Sequence, residues 1–288
     1  MPYAGLSIFG DARYLDAARP LFSAGAVDAI EWSVDSWSHD DSADEIDTLL
    51  DDYAKRGRLI GHGIHYPLLA VTADKMRATW LKQLKPVIKA NKYTGVSVHF
   101  GFSTGWKLRE GAPLPVPLCK EALDIGKKAM LALQKTVKVP VGIENLALAF
   151  SKQDVASQGV FIEEMLRAVD GYLLLDLHNI YCQSINFGIP IIDLVKTYPL
   201  GRVLEIHVAG GSWSEHGKMK VRRDTHDGRV PKELFDALPS VIKLCPKAQY
   251  IIFEKLPQSF KTKADTAGFR DDFMQLKSVV TRAQKAAA

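Results

Sequence analysis

The chain is poor in the features that would assign it quickly. It has three cysteines, Cys119, Cys182 and Cys245, and no CxxC pair. That argues against a disulfide framework or a cysteine-based zinc site, and for a reducing, cytoplasmic setting. No apolar run reaches the ~18 residues of a membrane span. The opening Met1-Pro2-Tyr3-Ala4-Gly5 lacks the basic segment and long apolar run of a signal peptide. Neither GxGxxG nor GxxxxGK[ST] occurs, which removes the common nucleotide-binding loops. Net charge is only +4, with no Lys/Arg cluster interleaved with aromatics, so no nucleic acid is expected as a partner. Lys82-Gln83-Leu84-Lys85 and Lys127-Lys128 read as solvated helix faces. The remaining composition, 47% hydrophobic and 24% charged over 288 residues, is that of an ordinary globular chain long enough for one large core.

What is present is a regular alternation. Short apolar runs predict strands at Gly5 to Phe9, Val27 to Val34, Arg58 to Ile64, Gly95 to Phe100, Val139 to Asn145, Gly171 to Leu177, Arg202 to Val208 and Gln249 to Phe253. Between them lie helical patterns at Asp11 to Ala24, Ala73 to Asn91, Leu118 to Thr136, Phe161 to Val169, Ile191 to Tyr198, Pro231 to Leu244 and Thr262 to Lys285. A further helix opens at the capping box Ser42-Ala43-Asp44-Glu45. Pro20 and Pro86 fall inside helical patterns and are expected to kink or divide them. Gly105 to Pro117 reads as a long Pro- and Gly-rich loop. Strict alternation implies a parallel sheet. Eight units without a linker predict an α/β fold, one (β/α)8 TIM barrel over residues 1–288, with an open doubly wound sheet as the alternative.

The most informative stretch is Leu204 to Val230. An apolar strand pattern ends on His207, two glycines follow, and Asp224-Thr225-His226 returns. If that segment is extended, Asp224 and His226 project from one face. The other predicted strands also end on donors: Glu31, His62, His99, Glu144, Asp176 with His178 and Asn179 just beyond, and Glu254. In a barrel these ends meet at the C-terminal mouth, where catalytic residues collect. A ring of carboxylates there is costly through desolvation and repulsion, and cations relieve the cost. There are more donors than one ion takes, so two or three ions are implied, with Glu144 the best placed to bridge.

Plainer roles suit several residues. His65 fits a position behind the ligands or in a loop, and His178 fits either that or a ligand. His39 reads as solvated. His216, in a Gly-flanked loop, and Trp213 are candidates to touch substrate, as are Trp32, Trp37 and Trp106, although each also fits ordinary packing. Cys182 reads as a buried, inert thiol.

The segments Gly61-His62-Gly63, Val96-Ser97-Val98-His99, Ile143-Glu144-Asn145, Leu175-Asp176-Leu177-His178-Asn179-Ile180-Tyr181, Glu205-Ile206-His207-Val208-Ala209-Gly210, Asp224-Thr225-His226-Asp227-Gly228 and Glu254 occur in this order. Together they resemble the multinuclear non-heme iron-dependent oxidases, and the resemblance runs from Gly5 to Glu254. It implies a TIM barrel with two or three irons, O2 as co-substrate, and modification of a cysteine in a ribosomally made peptide. An accessory protein that presents the peptide is also implied. His62, His99 and Glu144 would share one ion. Glu144, Asp176, His207 and Glu254 would share a second. Asn179, through its amide oxygen, would join Asp224 and His226 on a third. Two segments depart from the family pattern: His62-Gly63-Ile64-His65-Tyr66-Pro67, where small residues usually follow the glycine, and His178, where Asn is common. The same pattern also resembles xylose-isomerase-like and endonuclease IV barrels, which would make the chain a divalent-metal isomerase or phosphodiesterase. A non-enzymatic accessory role is the remaining alternative.

Overall fold

A computed structural model describes residues 1–35, 43–102, 113–217 and 219–287. Trp37, His39 and Trp106, and the 105–112 part of the predicted loop, lie outside them. In chain order the elements are β1 (Tyr3–Ile8), α1 (Ala12–Ser23), β2 (Ala29–Ser33), α2 (Ala43–Lys55), β3 (Leu59–Gly63), α3 (Asp74–Ala90), β4 (Val96–His99), α4 (Lys120–Val137), β5 (Val141–Glu144) and α5 (Lys152–Arg167). Then come β6 (Tyr172–Asp176), α6 (Leu177–Phe187), α7 (Ile191–Val195), β7 (Val203–Ala209), β8 (Trp213–His216), β9 (Met219–Arg222), α8 (Lys232–Leu244), β10 (Tyr250–Glu254) and α9 (Lys263–Ala287).

Eight strands close into a parallel barrel in the order β1-β10-β7-β6-β5-β4-β3-β2. Each strand is covered by helices outside and by other side chains inside, so it reads as apolar on both faces. β6 is the clearest case: every residue from Tyr172 to Asp176 is buried. The register brings donors side by side at the mouth. His99 pairs with Glu144 across β4 and β5, and Asp176 with His207 across β6 and β7.

Strict alternation does not hold. The predicted sixth strand is followed at once by α6, which the sequence reading missed. Its first seven residues, Leu177 to Gln183, are all buried, so no polar stripe marks it as amphipathic. Asp176 caps it, accepting from the Asn179 N–H at 2.5 Å. α5 also starts well before Phe161, at a Ser151 cap that accepts from Asp154 N. A two-stranded antiparallel hairpin, β8–β9, is inserted after β7. Pro86 does not divide its helix: α3 runs unbroken from Asp74 to Ala90, with Trp80 and Leu84 buried against the barrel.

Glycines let the loops above β7 close up. A Cβ on Gly210 would collide with the Arg229 carbonyl, and one on Gly211 with the Arg223 carbonyl and the His178 ring. The loop bearing Asp224 can therefore lie directly on the strand end that bears His207.

Candidate metal centre

Three adjacent strands build one side of the mouth. His62 is the last residue but one of β3, His99 ends β4 and Glu144 ends β5. The Nε2 atoms of both histidines lie 3.2 Å from Glu144 Oε2. The Ser97 hydroxyl donates to the Gly61 carbonyl at 3.4 Å and meets His62 Nδ1 at 2.8 Å. It therefore accepts the Nδ1 proton and leaves Nε2 facing Glu144.

The centre of the mouth is His207, which is fully buried. Its Nδ1 faces Glu254 at 3.3 Å and Asp176 at 3.9 Å. Its Nε2 faces Glu31 at 3.0 Å and Glu205 at 3.6 Å. Asn145 holds the end of β6: its Oδ1 accepts from Asp176 N at 2.7 Å and its Nδ2 donates to Asp176 O at 3.0 Å. Asn179 donates through Nδ2 to Glu144 Oε1 at 3.2 Å and to Asn145 O at 2.9 Å.

The far side is carried by the loop after β9. Asp224 Oδ1 lies 2.7 Å from His178 Nδ1 and 2.6 Å from His226 Nε2. His226 Nδ1 lies 3.1 Å from Glu254 Oε1. The segment is not extended as the sequence reading supposed. His226 sits at φ 49°, the left-handed region, and this turn folds its ring back onto Asp224. The buried Lys255 donates to the Asp227 and Gly228 carbonyls at 3.2 and 3.0 Å and pins the loop to the end of β10.

The clustering is tight. His62, His99 and Glu144 place ligand atoms within 4.8 Å of one another, as do Glu144, Asp176 and His207. The same holds for Asp176, His226 and Glu254, for His178, Asp224 and His226, and for Glu31, Glu205 and His207. Glu144 belongs to two of these sets. His178 stands beside Asp224 and His226.

The protein's own charges satisfy one another poorly. Burial disfavours a charged His62, but Glu31 and Glu144 outweigh it and lift its pKa to about 9. Burial likewise opposes charge on His207 and His226, yet the surrounding carboxylates raise both well above the usual imidazole range. Burial works against the charge of Glu254 and Asp224 too, and the neighbouring imidazoles pull both down. Asp176 goes the other way, raised by burial and then by Asp224 and Glu144. Burial lifts Glu205 to about 7, with Glu31 adding to it.

Five buried atoms at the mouth make no well-formed hydrogen bond: Asp176 Oδ2 and Asn179 Oδ1, and also Glu144 Oε2, His207 Nδ1 and His226 Nε2, which meet opposite charges only as ion-pair contacts. Orphaned buried polar atoms are rare and costly. A set of imidazole nitrogens and carboxylate or amide oxygens is the donor set of a divalent transition metal. The residues therefore fit metal ions.

The peripheral candidates are placed as follows. Glu31 is buried and faces His207. His65 is exposed, and its backbone N–H is held by Asp35 Oδ2 at 2.7 Å. Trp213 is 41% exposed on the hairpin. His216 ends β8, and its side chain is not among the described residues. Trp32 is buried. Cys182 is buried, and burial, then Asp224 and Asp176, push its thiol up, as an inert thiol requires. Sequence reasoning missed the roles of Ser97, Asn145, Lys255, Glu205 and Arg222. Only Glu205 carried a signal, as the one acid inside an otherwise apolar strand.

Residues 16–260 match the sequence profile described as RiPP precursor modification enzyme MbnB/TglH/ChrH. The chain belongs to this enzyme family. As a member of the MbnB/TglH/ChrH family, it also resembles curated relatives. It is 29% identical over 187 residues to a UPF0276 protein of Vibrio vulnificus (strain YJ016), which covers 65% of this chain and 64% of the relative. It is 29% identical over 166 residues to a UPF0276 protein of Caulobacter vibrioides (strain NA1000 / CB15N), which covers 57% of this chain and 58% of that one. The match thus spans about three-fifths of those relatives' length. Among solved structures, an L-ribulose 3-epimerase covers 100% of this chain and 97% of its own, with a TM-score of 0.62 at 16% identity. A xylose isomerase domain protein from Planctomyces limnophilus covers 99% of each chain, with a TM-score of 0.61 at 13% identity. Family member and neighbours share the xylose isomerase-like TIM barrel. No helix among the described residues is long and apolar enough to cross a membrane.

Proposed function

We propose that this family member is a multinuclear non-heme iron, O2-using oxidase that modifies a cysteine of a ribosomally made peptide, presented by an accessory protein. The observation that carries the metal part is the convergence on one barrel mouth of five buried nitrogen and oxygen atoms, none of them in a well-formed hydrogen bond. The family description supports a peptide substrate. The resemblance of the ordered motifs supports iron and cysteine chemistry.

In this reading His62, His99 and Glu144 hold one ion. Glu144, Asp176, His207 and Glu254 hold a second, and Asp224 and His226, with the Asn179 amide oxygen, hold a third. Bound iron would supply the electron chemistry with O2. The chain's own residues prepare the site. Ser97 fixes the ring of His62 through Nδ1. Glu31 faces Nε2 of His207 and leaves Nδ1 toward Asp176 and Glu254. Asn145 and Lys255 lock the backbone that carries Asp176 and His226. Trp213, on the hairpin between β7 and Asp224, offers an aromatic face for a peptide.

Elemental analysis and Mössbauer spectroscopy of chelator-free protein grown with iron test the reading. Two or three irons per chain, with O2 consumed only when a cysteine-containing peptide is supplied, are expected. Zinc or manganese without iron, after iron supplementation, would overturn it in favour of isomerase or phosphodiesterase chemistry.

A further inference from the structure

His178 offers two ring nitrogens, and both are engaged. Nε2 lies 3.3 Å from Nη2 of Arg222. A guanidinium can only donate, so Nε2 is the acceptor. The proton of the neutral ring therefore sits on Nδ1, which donates to Asp224 Oδ1 at 2.7 Å. A ring in this state has no free lone pair for an ion. His178 and Arg222 are 0% and 6% exposed, so water does not compete for either bond.

Arg222 is as firmly held from the other side. Its guanidinium lies over Tyr181 at 5.4 Å and over Trp213 at 5.6 Å. Its backbone is clamped by Asn186 of α6: Oδ1 accepts from Arg222 N at 2.8 Å, and Nδ2 donates to Arg222 O at 3.0 Å. No carboxylate forms an ion pair with Arg222 among the described residues. Through the imidazole its charge faces that of Asp224.

We propose that Asp224, His178 and Arg222 form a positioning relay in which His178 is not a metal ligand but the link that ties the β8–β9 hairpin to Asp224. Both contacts to the Asp224 carboxylate fall on Oδ1, so the relay sets the rotation of the carboxylate and thereby aims Oδ2. α6 is the common base, since it carries His178, Tyr181 and Asn186. A ligand that presses on the exposed Trp213 moves the guanidinium beneath it, and so the carboxylate. Docking on the hairpin and occupancy of the Asp224/His226 position are coupled in both directions. The relay rests on the metal reading of the mouth, but on neither iron nor a peptide.

The test is titration of the chelator-stripped full chain with Co(II), read by its visible absorption, and with Mn(II), read by EPR. The wild type is compared with Arg222→Ala, Arg222→Gln, His178→Asn, His178→Ala and the double alanine variant. Outer partners of metal ligands contribute about 10–100-fold in affinity. Arg222→Ala should weaken one ion by about that factor and leave the others unchanged. His178→Asn, whose amide still donates to Asp224, should stay within about threefold of wild type. In the His178→Ala background, Arg222→Ala should have no further effect. Circular dichroism of the stripped variants checks folding, and Arg222→Gln replaces Arg222→Ala if the latter does not fold.

Full affinity for every ion in Arg222→Ala, with one ion lost in both His178→Asn and His178→Ala, would make His178 a ligand and overturn the relay alone. A stripped chain that takes up neither Co(II) nor Mn(II) would overturn the metal reading and the relay with it.

Discussion

The two sides of the mouth are built differently. His62, His99 and Glu144 lie at or next to the ends of three neighbouring strands, and the backbone ladder itself sets their spacing. Asp224 and His226 ride on a loop whose shape comes from side chains and glycines: Lys255 below, His178 and Arg222 beside, and the close approach of Gly211 and Gly228. The strand side is preorganised by the fold. The loop side is preorganised by a few contacts that can be removed singly. The strand side should therefore resist everything except loss of a ligand, and the loop side should be tunable.

The harshest break in that contrast is Glu144→Ala. It removes the carboxylate that the strand-side cluster shares with the set of Asp176 and His207. Metal content should fall by more than one ion per chain, with affinity lost beyond the about 100-fold that outer partners reach. Loss of a single ion would mean that Glu144 does not bridge.

A middle effect is expected from Lys255→Met. It leaves the Asp227 and Gly228 carbonyls without their donor. Each stranded buried group costs about 1–3 kcal/mol. The ion of the loop side should weaken by about tenfold or more, while the strand-side ion keeps its affinity. Equal weakening of both would erase the distinction between the two sides.

Ser97→Ala should act only on the strand side, and by less. It frees His62 Nδ1 but leaves β3 and β4 in register. The lower end of the outer-partner range, about tenfold, is expected for one ion in calorimetric titration. A larger loss than for Lys255→Met would show that the strand side is the more delicate one.

The last test needs no metal and reads a pH slope in the stripped chain. The folded-state pKa of His62 is raised to about 9, so its contribution is complete below its ordinary value near 6.5 and is lost as pH rises through about 9. Urea midpoints of stripped protein should fall between pH 7 and 9.5. His62→Gln should remove part of that fall. Midpoints that rise over this range would contradict the pairing of His62 with Glu31 and Glu144.

How much of this was legible beforehand follows from what each segment buries. The barrel strands could be read because both of their faces are apolar, and the strand-borne ligands because they break that pattern at or near the strand's end, as His99 and Glu144 do. α6 could not be read, because it starts on the residue after β6 and is buried all round its first turns. The left-handed turn at His226 has no sequence mark, since glycine or asparagine would announce it and histidine does not. The placement of His178 depended on Arg222, which is remote in sequence and lies on a hairpin that its short alternating strands did not betray. Ser97 and Lys255 are ordinary residues until their partners are known.

Asp176 divides its two oxygens between two tasks. Oδ1 caps α6, and Oδ2 is left without a partner. One task belongs to folding and the other to the mouth, and the two can separate over evolutionary time. A descendant that has lost its chemistry is free to change His62, His99 or Glu254. It still needs a short side chain with an oxygen acceptor at this position, or α6 loses its first turn. Aspartate, asparagine, serine or threonine would then persist there after the other ligands had drifted, a fossil of the centre kept for the helix alone.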